Sequence, residues 1–311
     1  MRSTAAAVDP SLLGSAASFA AGGGHKFPVR KLPAVKFAGK RLSVACAASS
    51  PSAFGRRELI YMATTSLLMP FPSLASATDE SSLLQEEIRK VLSKGKAAGL
   101  LRLVFHDAGT FDKGDQSGGM NGSIVFELDR PENMGLEKSL KVLNKAKVPI
   151  DAVRPVSWAD LIAVAGAEAV LVCGGPKIPV RLGRIDATVP DPDGKLPEES
   201  LDATAMKKCF QKKGFSAQEL VALSGAHTLG NKGFGNPTVF DNSYYKVLLE
   251  KPWLSGGMSS MIGLPSDRAL IEDDECLRWI KKYADDQNLF FEDFKNVYIK
   301  LVNTGAKWRS A

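Results

Sequence analysis

The stretch SWADLIAVAGAEAVLVCGGP, Ser157 to Pro176, decides the fold. Ser157 followed three residues later by Asp160 reads as a helix start, because a short polar side chain at the N-cap accepts from unpaired backbone N–H groups and an acid suits the positive end of the helix dipole. From Leu161 to Val172 every residue except Glu168 is apolar or glycine. A helix apolar all round must be enclosed by other elements. Gly174 and Gly175 stop it and Pro176 hinders its resumption. One central buried helix predicts a mainly α fold, with the remaining helices wrapped around this one.

The flanking sequence supplies those helices. Leu83, Leu84, Ile88, Val91 and Leu92 recur at helical spacing and predict a helix over about Glu86–Lys94. LRLVFHDAGTFD, Leu101 to Asp112, then predicts a helix ending at Gly109. Arg102 and His106 stand four residues apart and share one face, while Leu101, Leu103, Val104 and Phe105 are available to the core. A guanidinium and a titratable imidazole aimed at one spot suit a small polar substrate such as a peroxide. The same pattern also suits a half-buried helix whose His bonds to a neighbour and whose Arg reaches water. Leu136, Leu140 and Leu143 predict an amphipathic helix over Met134–Lys147, and Pro176–Pro197 is too rich in turn residues for regular structure. A helix over Ala203–Lys212 follows. Ser216 and Glu219 then form a capping box for a helix ending at Gly225, with His227 just beyond it. Helices over Asn242–Leu249 and Phe290–Val302 complete one compact unit without internal repeat or long linker.

Ahead of this unit lie two segments of different composition. Residues 1–48 are rich in Ala, Ser, Gly, Lys and Arg with Asp9 as the sole acid, which is how a plastid transit peptide reads. Residues 49–77 contain the pair Arg56 and Arg57, a modest apolar run from Leu59 to Met69 and the small residues Ala75, Ser76 and Ala77. That is the pattern of a twin-arginine export signal; the apolar run is about half the ~20 residues needed to span a bilayer. In series the two predict delivery to the thylakoid lumen, with a domain over 78–311 and no transmembrane span in the mature chain. The net charge of +6 belongs to the leader. Residues 1–78 hold nine Lys or Arg and two acids, leaving 31 basic and 32 acidic side chains of the totals 40 and 34. Nucleic acid is therefore excluded as a partner expected from charge.

Other chemistries are also excluded. No CxxC pair supports a zinc or dithiol site, and Cys173, Cys209 and Cys276 read as small buried hydrophobes, though one disulfide among them is possible. FDKGDQSGGMNGS, Phe111 to Ser123, lacks the alternating acids and final Glu of an EF-hand. Its glycines are not closed by Lys then Ser or Thr, as a phosphate loop requires.

Taken in order, LRLVFHDAGTFD, SWADLIAVAGAEAVLVCGGP, RLGRIDA, ELVALSGAHTLG and LPSDRAL resemble the plant, fungal and bacterial haem peroxidases, and most closely their ascorbate-peroxidase class, from about Leu83 to Gly305. The resemblance implies a haem-peroxidase-like helical fold, haem b as cofactor, and hydrogen peroxide with a small reductant as substrates. It assigns His106 as distal acid–base and Arg102 as the cation that stabilises developing hydroxide. Asn133, in ENMGL, becomes the acceptor that fixes the imidazole tautomer, His227 the axial ligand of haem iron, and Asp267 the carboxylate behind that ligand.

Two departures sit where the haem would lie. Phe105 replaces the Trp that ascorbate peroxidases carry before the distal His, a change other peroxidase classes share. Between HTLG and FDNSYY only Asn231–Val239 remains, a shorter link than the family's, without its Trp or its substrate-contacting Arg; Lys232, with Lys94 elsewhere, is the cation left. Loss of apolar wall and propionate contacts predicts weakened haem and ascorbate binding. The alternative expectation is thus a haem-free, non-catalytic lumenal protein that accompanies a photosynthetic membrane complex.

Overall fold

In a computed structural model of the chain, residues 74–250, 253 and 262–310 are described. The predicted targeting segments, 1–48 and 49–77, lie outside these residues except for 74–77, where the first helix begins. Ten α-helices are described: α1 Leu74–Val91, α2 Lys94–Ala108, α3 Glu137–Val153, α4 Trp158–Val172, α5 Ala203–Lys212, α6 Ala217–Ser224, α7 Ser243–Leu249, α8 Pro265–Ala269, α9 Asp274–Asp285 and α10 Gln287–Asn303. Among the described residues there is no strand, only the isolated bridges Asp112–Ser117 and Arg184–Trp308. The mainly α expectation holds.

α4 is the centre that its composition requires. All residues from Ala159 to Val170 are buried, and α2, α1 and α3 pack against it. α6, α9, α10 and α7 form the other half of the core around Phe240, Phe290 and Phe294. No described helix is long and apolar enough to cross a membrane.

Several boundaries differ from the periodicity reading, each for a local reason. α1 ends at Val91 because Ser93 is extended (φ −138°, ψ 159°) and starts α2 at Lys94. α3 begins at Glu137, after Gly135 has turned the chain at φ +85°, and runs through Pro149 to Val153. A proline removes one helical hydrogen bond; continuing the stripe Leu143, Ala146, Ile150 into the core for another turn offsets that loss. At the start of α4 the Ser157 hydroxyl accepts from the Asp160 N–H at 3.1 Å, as expected. The Asp160 carboxylate, however, serves Arg184 instead, at 2.9 Å with neither side chain exposed by more than 2%. Arg184 also donates to the Val302 carbonyl and to Asn303 Oδ1, while Trp308 lies under its guanidinium. The turn-rich stretch 176–197 is thereby fastened to the central helix and the C-terminus. Cys173, Cys209 and Cys276 are all free thiols; the possible disulfide does not form.

Candidate active site

The last two turns of α2 carry Arg102 and His106 on one face, as their spacing requires. His106 Nδ1 donates to Asn133 Oδ1 at 2.7 Å, and Asn133 Nδ2 donates to the Glu127 carbonyl at 2.8 Å. Asn133 is buried, so this amide has one workable orientation: oxygen toward the ring, nitrogen toward the backbone. The imidazole therefore carries its proton on Nδ1 and presents Nε2 as a base. Arg102 Nε donates to that Nε2 at 3.2 Å, while its terminal nitrogens donate to the carbonyls of Met134 and Glu132 at 2.9 and 2.6 Å. Burial is the main reason the His106 pKa falls to about 4; the Asn133 bond opposes this and the Arg102 charge adds to it. His106 is neutral at any ordinary pH.

The segment between α2 and α3 is held by buried acids. Asp107 accepts from the N–H groups of Gly122 and Ile124 at 2.8 and 3.1 Å, and burial raises its pKa to about 7. Glu127 receives the Asp191 N–H and the Arg130 guanidinium, each at 2.8 Å. These contacts fix Glu127, whose carbonyl in turn fixes Asn133.

Further along the chain, α6 gives way to a 3-10 turn over Gly225–Thr228, which carries His227. Its Nδ1 donates to Asp267 Oδ1 at 2.7 Å. Asp267, at the start of α8, also receives the Tyr244 hydroxyl at 2.9 Å and the Leu264 N–H at 2.8 Å. Burial alone would raise the Asp267 pKa, but His227 and these hydrogen bonds bring it below the usual carboxylate value. Burial works against the His227 cation as well, and Asp267 more than compensates, raising its pKa. The His227 Nε2 has no hydrogen bond among the described residues, and 39% of the side chain is open. A basic imidazole backed by a carboxylate, with its outer nitrogen unengaged and the side chain partly open, is the donor set a haem iron requires. The residues present fit that group.

Arg102, His106 and Asn133 thus form one cluster and His227 and Asp267 a second, and the helix α2 that carries the first packs against the 225–228 turn that carries His227. The negative charge of Glu199 acts on Arg102, His106 and His227 alike. Lys232 acts on His227 from the short link. That link closes on itself: the Gly230 N–H donates to the Pro237 carbonyl at 2.9 Å, and the Gly263 N–H to the Lys232 carbonyl at 2.8 Å. Its Phe234 is buried 4.7 Å from the Tyr244 ring centre. A Cβ on Gly263 would come 2.5 Å from the Phe234 ring and 3.3 Å from Asp267 Oδ2, so an aromatic wall does stand near the buried carboxylate. Phe234, Tyr244, Glu127 and Glu199 were not among the residues expected from sequence. Tyr244 could have been found, since an aromatic with a hydroxyl beside FDN is an obvious partner for a buried acid; Glu199 carried no local signal.

A family model described as "Peroxidase" matches residues 82–286. Among similar proteins, the Arabidopsis thaliana "Putative L-ascorbate peroxidase 6" is 65% identical over 256 residues, 81% of this chain and 78% of the relative. The "Probable L-ascorbate peroxidase 7, chloroplastic" of Oryza sativa subsp. japonica is 37% identical over 290 residues, 81% of this chain and 79% of its own. A "Putative heme-binding peroxidase" of Pyricularia oryzae is 39% identical over 242 residues, 67% of this chain and 79% of its own.

Proposed function

Because this chain belongs to the peroxidase family, as an ascorbate-peroxidase-like member of its class I, we propose that it reduces hydrogen peroxide with haem b held on His227. The observation that carries the proposal is the oriented pair of histidines: His106 fixed through Nδ1 by Asn133, and His227 fixed through Nδ1 by Asp267. A bound haem would supply the electrons that split the O–O bond. The chain's own groups do the rest. His106 Nε2, unprotonated, takes a proton from the peroxide oxygen that attacks and returns it to the oxygen that leaves as water. Before substrate arrives the Arg102 Nε–H occupies that nitrogen; a peroxide displaces it and leaves the guanidinium facing the departing oxygen, where its charge offsets developing hydroxide. Glu132 and Met134 keep Arg102 from swinging away. On the other side Asp267 keeps the Nδ1 proton of His227 and makes its Nε2 the more basic nitrogen.

The reductant side differs from a site built for a small anion. The short link Asn231–Val239 contributes one cation, Lys232, and the negative charge of Glu199 acts on both histidines. An anionic reductant such as ascorbate meets little attraction there. The plastid address rests on the composition of residues 1–48 and on the relative named as chloroplastic; delivery on to the thylakoid lumen rests on the 49–77 segment alone.

The protein isolated from its native compartment settles the function. A haem-to-protein ratio near one, a Soret band, and peroxide consumption lost in His106→Ala are expected. Protein without a Soret band, before and after added hemin, refutes the enzyme and leaves the haem-free accessory reading. Sequencing the mature N-terminus tests the address: a start near Thr78 is expected, and a start near residue 49 would rule out export to the lumen.

A further inference from the structure

An unbroken file of oxidisable rings leads from the proximal histidine to the surface. Tyr244 stands edge-on to His227 with ring centres 6.0 Å apart. Tyr245 follows at 5.0 Å, Tyr283 at 5.2 Å from Tyr245, and Trp279 at 5.8 Å from Tyr283. At these spacings neighbouring rings are in van der Waals contact. Tyr244, Tyr245 and Tyr283 are fully buried, whereas Trp279 on α9 is partly exposed. None of these four rings has a part in the peroxide chemistry above, except that Tyr244 braces Asp267.

We propose that this file conducts electrons, one at a time, from a surface donor site at Trp279 to the haem pocket, so that the protein oxidises anionic one-electron reductants that never enter the pocket. The proposal rests on the peroxidase reading and adds a second donor site to it. Hydrogen peroxide is the terminal oxidant: it takes two electrons and two protons, its O–O bond breaks, and two waters result. Two donor molecules each lose one electron at Trp279, and each electron passes through Tyr283, Tyr245 and Tyr244.

Oxidising a buried phenol is easy only if its proton can move a short way and return. Tyr283 donates to the Asp293 carboxylate at 2.8 Å and Tyr244 to Asp267 at 2.9 Å, so both have an acceptor in place. Tyr245 donates to the Val221 carbonyl at 3.0 Å, which takes up no proton; there the electron crosses without a resting stage. Lys282 holds its ammonium 4.2 Å from the centre of the Trp279 ring. A positive charge so close disfavours an indole cation radical, and water can remove the indole N–H proton of a partly exposed ring. The oxidised residue is thus the neutral tryptophanyl radical. The same ammonium, with exposed Arg278 next to Trp279 in the chain, favours an anionic donor at this ring.

The test uses hemin-loaded protein and ferrocyanide, an anionic outer-sphere reductant, with guaiacol as the pocket-sized comparison. Freeze-quenched samples treated with peroxide alone should give the electron paramagnetic resonance signal of a neutral tryptophan radical, absent in Trp279→Phe. That variant and Tyr283→Phe, which removes the phenol paired with Asp293, should each lose ferrocyanide oxidation by about tenfold or more while guaiacol oxidation stays within about twofold. Both substitutions keep an aromatic ring in place, and the guaiacol rate checks that each variant is folded. If peroxide is consumed and guaiacol oxidised but no tryptophan signal forms and ferrocyanide turnover is unchanged in Trp279→Phe, the second site is refuted and the peroxidase stands. If peroxide is not consumed at all, both fall.

Discussion

Replacing Asn133 by Val tests the device that keeps His106 a base. In the wild type the amide oxygen accepts the Nδ1 proton at 2.7 Å and the amide nitrogen satisfies the Glu127 carbonyl at 2.8 Å. Valine is close in size and does neither. The ring is then free to carry its proton on Nε2, where it blocks the reaction, and to rotate away from Arg102. Loss of a partner behind a catalytic imidazole costs about 10–100-fold, equivalent to roughly 1.4–2.7 kcal/mol of barrier. The orphaned Glu127 carbonyl adds about 1–3 kcal/mol of lost stability. The pH profile makes the test specific. The Asn133 bond raises the His106 pKa against burial, so its loss moves the acid limb of the profile below the wild-type value of about 4 while the plateau drops. Stopped-flow measurement of the second-order peroxide reaction across pH 3.5–8 with the hemin-loaded protein reads both. Asn133→Asp, which restores an acceptor, should recover much of the plateau with the limb moved upward. An unchanged plateau in Asn133→Val would refute the tautomer argument, whatever happened to stability.

Arg184→Ala breaks a fully buried ion pair and leaves Asp160 uncompensated; a loss of about 3–5 kcal/mol is expected, read as a lower denaturation midpoint, and a change below about 1 kcal/mol would contradict the pairing. Burial raises the Asp107 pKa from 3.8 to about 7, so the folded state binds the proton more tightly. Stability from this group is full below pH 4 and lost as pH rises through 7. Asp107→Asn should flatten that part of the stability curve, and a parallel curve would count against the assignment. His106 acts oppositely: its depressed pKa means stability falls as pH drops from 6.5 toward 4, by about 3 kcal/mol at most, a slope His106→Phe should remove. Thiol titration of unfolded protein starting at residue 78 should count three free cysteines with or without reductant; in folded protein Cys276, whose thiol pKa is pushed up to about 12 by burial, should be the slowest to react.

The order of the helices, the buried centre at Ala159–Val170 and the pairing of Arg102 with His106 were legible along the chain. Each depends on local periodicity: a helix puts residues four apart on one face whatever surrounds it, and an all-apolar helix has to be enclosed. The capping box of Ser216 and Glu219 gave the helix Ala217–Ser224 to within a residue for the same reason. What the tertiary structure decided are contacts between residues far apart in sequence. Asp160 resembles a capping residue and instead neutralises Arg184, because an arginine closed off from water must find a carboxylate and this one lay nearest. Pro149 resembles a helix stop and is passed over because the core gains Ile150. The short link after His227 resembles a missing wall, yet its glycines fold it back and bring Phe234 against Tyr244. Tyr244, Tyr245, Tyr283 and Trp279 come from two helices separated in sequence, and only packing sets them in file. Sequence alone therefore determined the class of helical scaffold and the placing of Arg102 and His106 on one helix face, since residue type and spacing carry both. Orientation of His106 and His227 and the file of rings from Tyr244 to Trp279 were set by long-range packing, which no local pattern encodes.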